Sequence, residues 1–352
     1  MKVFDAGRKT VDLQSGGSTF PVHEVRDLVS DLSFPNPMIY WTDFILTIAA
    51  AYSAFVLYLR ASNFTVLQFG MFVLSGLAFY RAVVFTHEIA HRTPRALPGF
   101  RTAWNLLCGI PLLMPGFLYG DHRSHHSTGS YGTSDDAEYV FLASGRRHAV
   151  LFLMLSFVYP LLGPLRFLLL TLPAFVVPAI DRLVWRYASS LYMMNPNYER
   201  RDDASAHSLG RWTQEIACCL WVGGLAYLVW TGRVSFGTIL KTYAVFLFWI
   251  GLNQLRTLAA HRYASDGLPR SYVAQALDSN TFANGGLLPE LWAPVGMRYH
   301  ALHHILPALP YHAMKQAHGR LMASLPSDSA YRKTLQPGLW SVVKDALTGR
   351  QS

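Results

Sequence analysis

The sequence predicts an all-α integral membrane protein: two transmembrane helical hairpins, four spans in all, under a cytoplasmic histidine-rich cap flanked by interfacial or re-entrant helices. Three observations lead there. Of the 352 residues, 51% are hydrophobic and only 14% charged, too apolar for an ordinary soluble domain. The apolar residues come in blocks long enough to cross a bilayer. Histidines, finally, recur in boxes placed just beyond those blocks. H-R-S-H-H at 122–126 and H-A-L-H-H at 300–304 share one pattern. With 14 histidines in the chain, chance supplies roughly 0.02 such matches. Two of them are not accidental.

Taken in order, residues 1–37 form a polar N-terminal segment ending in the breaker F-P-N-P. Its first 35 residues hold no apolar core of signal-peptide length, so no cleaved export signal is expected. Met38 to Leu59 is a 22-residue apolar stretch, about 33 Å long as a helix and enough to span. The link Arg60 to Asn63 is so short that the next block, Phe64 to Phe85, must return antiparallel. Its helix should run past the membrane edge through His91 until Pro94 stops it. Residues 100–119 are broken by Gly109, Pro111, Pro115 and Gly116, and read as re-entrant or interfacial. The stretch 149–180, interrupted by Pro160, Gly163, Pro164, Pro173 and Pro178, reads the same way. A charged loop over 181–211 leads to a second hairpin, Trp212 to Trp230 and Phe236 to Gln254, whose second helix extends outward to carry His261. The membrane domain is expected over 38–325, followed by a cytoplasmic tail over 326–352.

If both hairpins span and the broken segments do not, every histidine box shares one side with both termini. The outer links carry only Arg60 and Arg233, so the positive-inside rule puts the histidines in the cytoplasm. The net charge of +9 is spread over connecting segments and fits this topology and anionic headgroups; no nucleic acid is expected. Cys108, Cys218 and Cys219 lie in apolar segments without a C-x-x-C pair. That argues against a fused rubredoxin-like site or a disulfide framework and for buried free thiols.

On a helical turn, residues three and four apart share a face. His122, His125 and His126 should therefore cluster, as should His300, His303 and His304, while H-E-I-A-H pairs His87 with His91. Nine of the fourteen histidines fall in these boxes or at His261. Burying so many unpaired imidazoles is costly unless they bind something. Imidazole suits iron, zinc, copper and nickel. Nine ligands exceed what one metal can use, whereas two metals at four or five each would take them all.

This arrangement resembles the membrane fatty-acid desaturase and hydroxylase superfamily, whose members carry H-x3–4-H, H-x2–3-H-H and a C-terminal H/Q-x2–3-H-H around two membrane hairpins. The Y-H-A-L-H-H-I-L-P-A-L-P-Y-H string resembles the tail of bacterial members, and the likeness runs over about residues 38–315. It implies a non-haem site of two ferrous ions held by His87, His91, His122, His125, His126, His300, His303 and His304, with His261 as a further ligand. It also implies dioxygen as co-substrate and a fatty-acyl desaturase acting on a membrane lipid or acyl thioester, with a hydroxylase as the alternative. A bacterial inner membrane with the site facing the cytoplasm is expected. No H-P-G-G haem motif or C-x-x-C iron site is fused to the chain, so electrons must come from a separate ferredoxin, rubredoxin or cytochrome. One position departs: acyl-CoA desaturases carry an asparagine one turn before the lone histidine, where this chain has Thr257, and Asn253 lies two turns before His261.

Rivals exist. H-E-I-A-H is a literal zinc-protease signature with Glu88 as base, but it leaves seven histidines idle. The Glu88–His91 spacing also occurs in soluble di-iron bundles, which need a second copy. A metal transporter would want ligands along an intramembrane path. Asp135, Asp136 and Glu138 read equally as acceptors for imidazole N–H groups or as a solvated loop. Arg81 is expected to snorkel and Asp43 to lie at the interface. His312 could support the site, whereas His23, His148, His207 and His318 read as surface or structural.

Overall fold

Side-chain caps set where the long helices begin. The protein is seen here as a computed structural model that describes residues 22–139, 146–190, 198–201 and 203–348. Helix α1 (Pro37–Arg60) starts behind Asn36, whose side chain accepts from Met38 N at 3.0 Å. Helix α2 (Val66–His91) starts behind Thr65, which accepts from Gln68 N at 3.2 Å. Such caps contribute about 1 kcal/mol each by satisfying amides that a helix start leaves open. The two helices return on each other as the short link over 61–65 requires. They meet through Tyr40, Phe44, Ala51, Phe79 and Ala82.

Past α2 the chain folds back. The helix at Phe100–Trp104 widens into a π turn over Asn105–Gly109 and packs on the hairpin, with Trp104 Nε1 donating to Ala82 O at 2.8 Å. The short helix α3 (His122–His125) follows. The stretch over 147–174 is bent by 59° at its break, as a broken span or re-entrant loop. Ser208 caps α4 (Leu209–Trp230) and Ser235 caps α5 (Phe236–Ala260). His261 sits at the C-terminal end of α5, and the last box forms α6 (His300–Ile305). Helix α7 (Tyr311–Ser324) closes a separate core outside the spans, where Leu302, Ala317, Leu321 and Tyr331 meet Val25 from the N-terminal side.

Among the described residues there is no strand beyond isolated bridges such as His261 with Ser279. The protein is an all-helical membrane protein in which α1, α2 and α5 are long and apolar enough to cross a bilayer. The second hairpin differs from the sequence expectation. Helix α5 packs along α2, while α4 packs against the broken segment around 166–174. The reason is charge. Helix α4 carries buried Arg211 and Glu215, and a buried charge must be paired. Their partners lie elsewhere: Glu215 Oε1 accepts from Arg166 Nη2 at 2.7 Å, and Arg211 Nη2 reaches Asp181 Oδ1 at 2.5 Å. Helix α4 goes where those partners are.

Arg81 does not snorkel. Its Nη2 lies 2.5 Å from Asp43 Oδ2, which also accepts from Tyr311 OH at 2.7 Å, so the pair ties α1, α2 and α7 together. Cys108 and Cys218 are buried free thiols, and Cys219 is partly covered.

Candidate metal centre

The site forms where α2 and α5 end. Helix α2 delivers His87 and His91 on consecutive turns, and α5 delivers His261 as its last turn opens into extended backbone. Helices α3 and α6 supply the two H-x-x-H-H boxes. The nine histidines gather into two groups. One is His87, His91, His122, His126 and His303; the other is His125, His261, His300 and His304. Within each group one ring nitrogen from every member lies within 4.8 Å of the others. Eight of the nine are buried, and His91 is half-buried.

Each box divides between the groups. His122 and His126 go to the first and His125 to the second, whereas His300 and His304 go to the second and His303 to the first. The sequence suggested one cluster per box, and the structure corrects this. At 3.6 residues per turn, position i+4 lies about 40° to one side of i and i+3 about 60° to the other. A box can therefore serve two centres at once.

The hydrogen bonds settle which ring nitrogens are free. His125 Nδ1 donates to Asp136 (Oδ2, 2.9 Å) and His122 Nδ1 to Glu138 (Oε1, 2.9 Å). His261 Nδ1 lies 2.9 Å from Tyr131 OH and 3.1 Å from Ser279 Oγ. Those hydroxyls donate elsewhere, Tyr131 to Asp278 and Ser279 to Gln275 O. His261 must then be the donor, and its Nε2 is a bare lone pair. That nitrogen faces the Nε2 of His125 at 3.2 Å and of His300 at 3.0 Å. In the other group His126 Nε2 faces His122 at 3.1 Å and His303 at 3.1 Å. A neutral imidazole has one N–H, and in His122, His125 and His261 it is already committed.

Lone pairs held this close ask for a cation. Imidazole nitrogens about 2.0–2.1 Å from a first-row metal stand about 3.0–3.4 Å apart around it, matching the observed spacing. His87 makes the same point, since neither of its buried ring nitrogens has a partner. Burial holds His126, His303 and His304 well below the ordinary histidine range, with neighbouring imidazoles adding to the effect; His261 and His300 behave alike, with Arg256 contributing. Burial also opposes charge on His125, but the Asp136 carboxylate outweighs it and raises that imidazole, making it a stronger ligand. Burial works to raise Glu138, yet His122, His125 and Arg256 hold it at about 2.

Between the groups lies a cavity of ≈ 20 Å³, room for about one water. His87 and His122 line it from one group and His125, His261 and His300 from the other, with Tyr119, Glu138, Arg256, Thr257, Ala260 and Met297 completing the wall. Thr257 therefore reaches the cavity. Asn253 instead accepts from Arg256 Nη2 at 2.9 Å.

The other sequence candidates separate cleanly. Asp136 and Glu138 support imidazoles, while Asp135 pairs with Arg201 at an exposed position. Glu88 faces away from the histidines: Tyr40 donates to it, Arg92 lies 3.1 Å off and Tyr311 N 3.5 Å. A staple of this kind is no protease base. His312 accepts from Asn36 N at 3.2 Å and His318 lies 2.8 Å from Tyr331 OH, so neither supports the site. Sequence reasoning missed Tyr131, Asp278 and Ser279, which have no spacing signal relative to His261.

The family model described as Fatty acid desaturase matches residues 62–335. The ceramide hydroxylase of Caulobacter vibrioides (strain NA1000 / CB15N) is 38% identical over 329 residues, covering 92% of this chain and 92% of its own length.

Proposed function

The chain belongs to the fatty acid desaturase family, and from that premise we propose that it is a dioxygen-dependent di-iron hydroxylase of a membrane lipid, with ceramide as the substrate. The observation that carries the reading is the similarity to a ceramide hydroxylase across 92% of both chains. The paired histidine groups supply the means. Desaturation, which the sequence alone favoured, shares the same beginning. Hydroxylation takes R–H, O2, two electrons and two protons to R–OH and one water. Desaturation takes the same O2, electrons and protons, removes two hydrogens and releases two waters.

In this reading His87, His91, His122, His126 and His303 hold one iron, and His125, His261, His300 and His304 the other. When bound, the irons supply electrons to dioxygen and the oxidant that attacks carbon. The chain's own residues do the rest. Asp136, Glu138 and Tyr131 fix the imidazole tautomers, so that each presents a lone pair inward. The small cavity admits the reacting carbon and little water. A separate ferredoxin, rubredoxin or cytochrome brings the electrons, and basic cytoplasmic segments would attract such an acidic carrier. This reading keeps α4 as a fourth span beside α1, α2 and α5, so that a catalytic unit over 38–325 would carry this chemistry on the cytoplasmic side of a bacterial inner membrane.

The test is the lipid profile of bacteria expressing the protein and fed ceramide, beside a His303→Ala control. A ceramide heavier by one oxygen, absent from the control, is the expected result. A product lighter by two hydrogens would return the assignment to desaturase. Unchanged ceramide alongside an oxidised acyl lipid of another class would replace the substrate.

A further inference from the structure

Arg256 stands out in the cavity wall. It is half-buried near the end of α5 and lines the space between the two histidine groups. Asn253 takes one of its Nη groups and Tyr80 also hydrogen-bonds the guanidinium, but its buried Nε has no partner. The next residue, Thr257, lines the same cavity and is 4% exposed, with its hydroxyl also unpartnered. A cation beside two proposed metal sites is electrostatically unfavourable, and the Glu138 carboxylate in the same wall offsets its charge without taking its Nε. Unused buried donors cost free energy unless a ligand satisfies them. A methylene from the middle of a hydrocarbon chain has no acceptor to offer.

We propose that Arg256, with Thr257 beside it, is a substrate-positioning residue: its guanidinium binds an oxygen at the polar end of the lipid, the amide carbonyl in a ceramide, and so places the oxidised carbon within a few bonds of that oxygen. The size of the cavity sets this limit. Arg256 and five of the histidines line one small space, so an oxygen on Arg256 and a carbon facing the histidines belong to one short stretch of molecule. The carbon oxidised is then counted from the polar end. The inference rests on the lipid-oxygenase reading above.

The experiment uses full-length protein in membranes, given ceramides whose N-acyl chain is lengthened stepwise, with the product position mapped by fragmentation mass spectrometry and iron counted per chain. For the wild type, the hydroxyl stays at one position near the carbonyl whatever the chain length. Arg256→Gln raises KM about ten- to a hundredfold, the worth of a charged hydrogen bond, or scatters the product over several carbons. It keeps the wild-type iron content, and Arg256→Lys restores part of the selectivity. A hydroxyl at a fixed distance from the methyl end overturns the proposal, as does an Arg256→Gln enzyme with unchanged KM and position. If Arg256→Gln loses iron or fails to accumulate, the wild-type chain-length series decides alone. If ceramide is untouched but another acyl lipid is oxidised, only the ceramide assignment fails, and the same series on that lipid tests Arg256.

Discussion

Asp136→Asn tests the two-group centre most directly. The Asp136 carboxylate is fully buried and accepts from His125 Nδ1 and Gly132 N on Oδ2, both at 2.9 Å, and from Glu138 N on Oδ1 at 2.9 Å. An asparagine offers one oxygen where the carboxylate offered two, so at least one of these donors must face an NH2. A hydrogen bond to a buried charged group contributes about 1.5–3 kcal/mol. Loss of an acceptor behind a metal-bound histidine typically weakens metal binding about 10–100-fold, or about 1.4–2.7 kcal/mol. The two scales agree. The four-histidine group should therefore bind iron about 10–100-fold more weakly in the variant, while the five-histidine group, which Asp136 touches only through Glu138 N, is weakened less. Glu138→Gln acts through His122 on the other group, and less strongly, because water can reach a Glu138 side chain that is 15% exposed. Iron per chain, counted by mass spectrometry after graded chelation, reads both. Adding His304→Ala to Asp136→Asn should weaken no further site, whereas adding His303→Ala should. If Asp136→Asn and Glu138→Gln shed the same iron, or Asp136→Asn sheds none, the division of ligands is wrong.

Other perturbations probe the remaining structure. His261→Ala leaves three nitrogens in its group, so it should abolish turnover while the five-histidine group keeps its iron, as a halved metal count would show. Glu88→Gln should lower stability by about 1–3 kcal/mol, read as a fall in Tm, with iron content and turnover per folded molecule retained; complete loss of turnover at wild-type Tm would revive the protease reading. Glu215→Ala strands the buried Arg166 and should cost about 3–5 kcal/mol. Thermal unfolding in lipid nanodiscs measures it, and unchanged stability would mean that this network does not hold α4 to the broken segment.

Much of the scaffold was legible because bilayer crossing imposes a length and an apolarity that a single chain displays. The first hairpin, the run of α2 to His91, the breaks over 149–180 and the extension of α5 to His261 all follow from local pattern. The packing of α4 did not. Its partners, Arg166 and Asp181, lie 49 and 30 residues away in sequence, and no periodicity links an arginine to a distant carboxylate. Arg81 and Asp43 show the same gap: each alone reads as an interfacial charge, and only the tertiary approach of α1, α2 and Tyr311 makes them a pair.

The sequence by itself named all nine clustered histidines and, by counting ligands, called for two metals at four or five each, because ligand type and number are local properties. Which histidine joins which group was decided by the tertiary structure. A helical box points i and i+4 one way and i+3 another, and only the docking of α2, α3, α5 and α6 determines what each direction meets. The same docking selected Tyr131, Asp278 and Ser279 to hold His261, and set Arg256 and Thr257 facing the space between the groups. Those contacts join residues far apart in the chain, and it is the packing of the helices that brings them together.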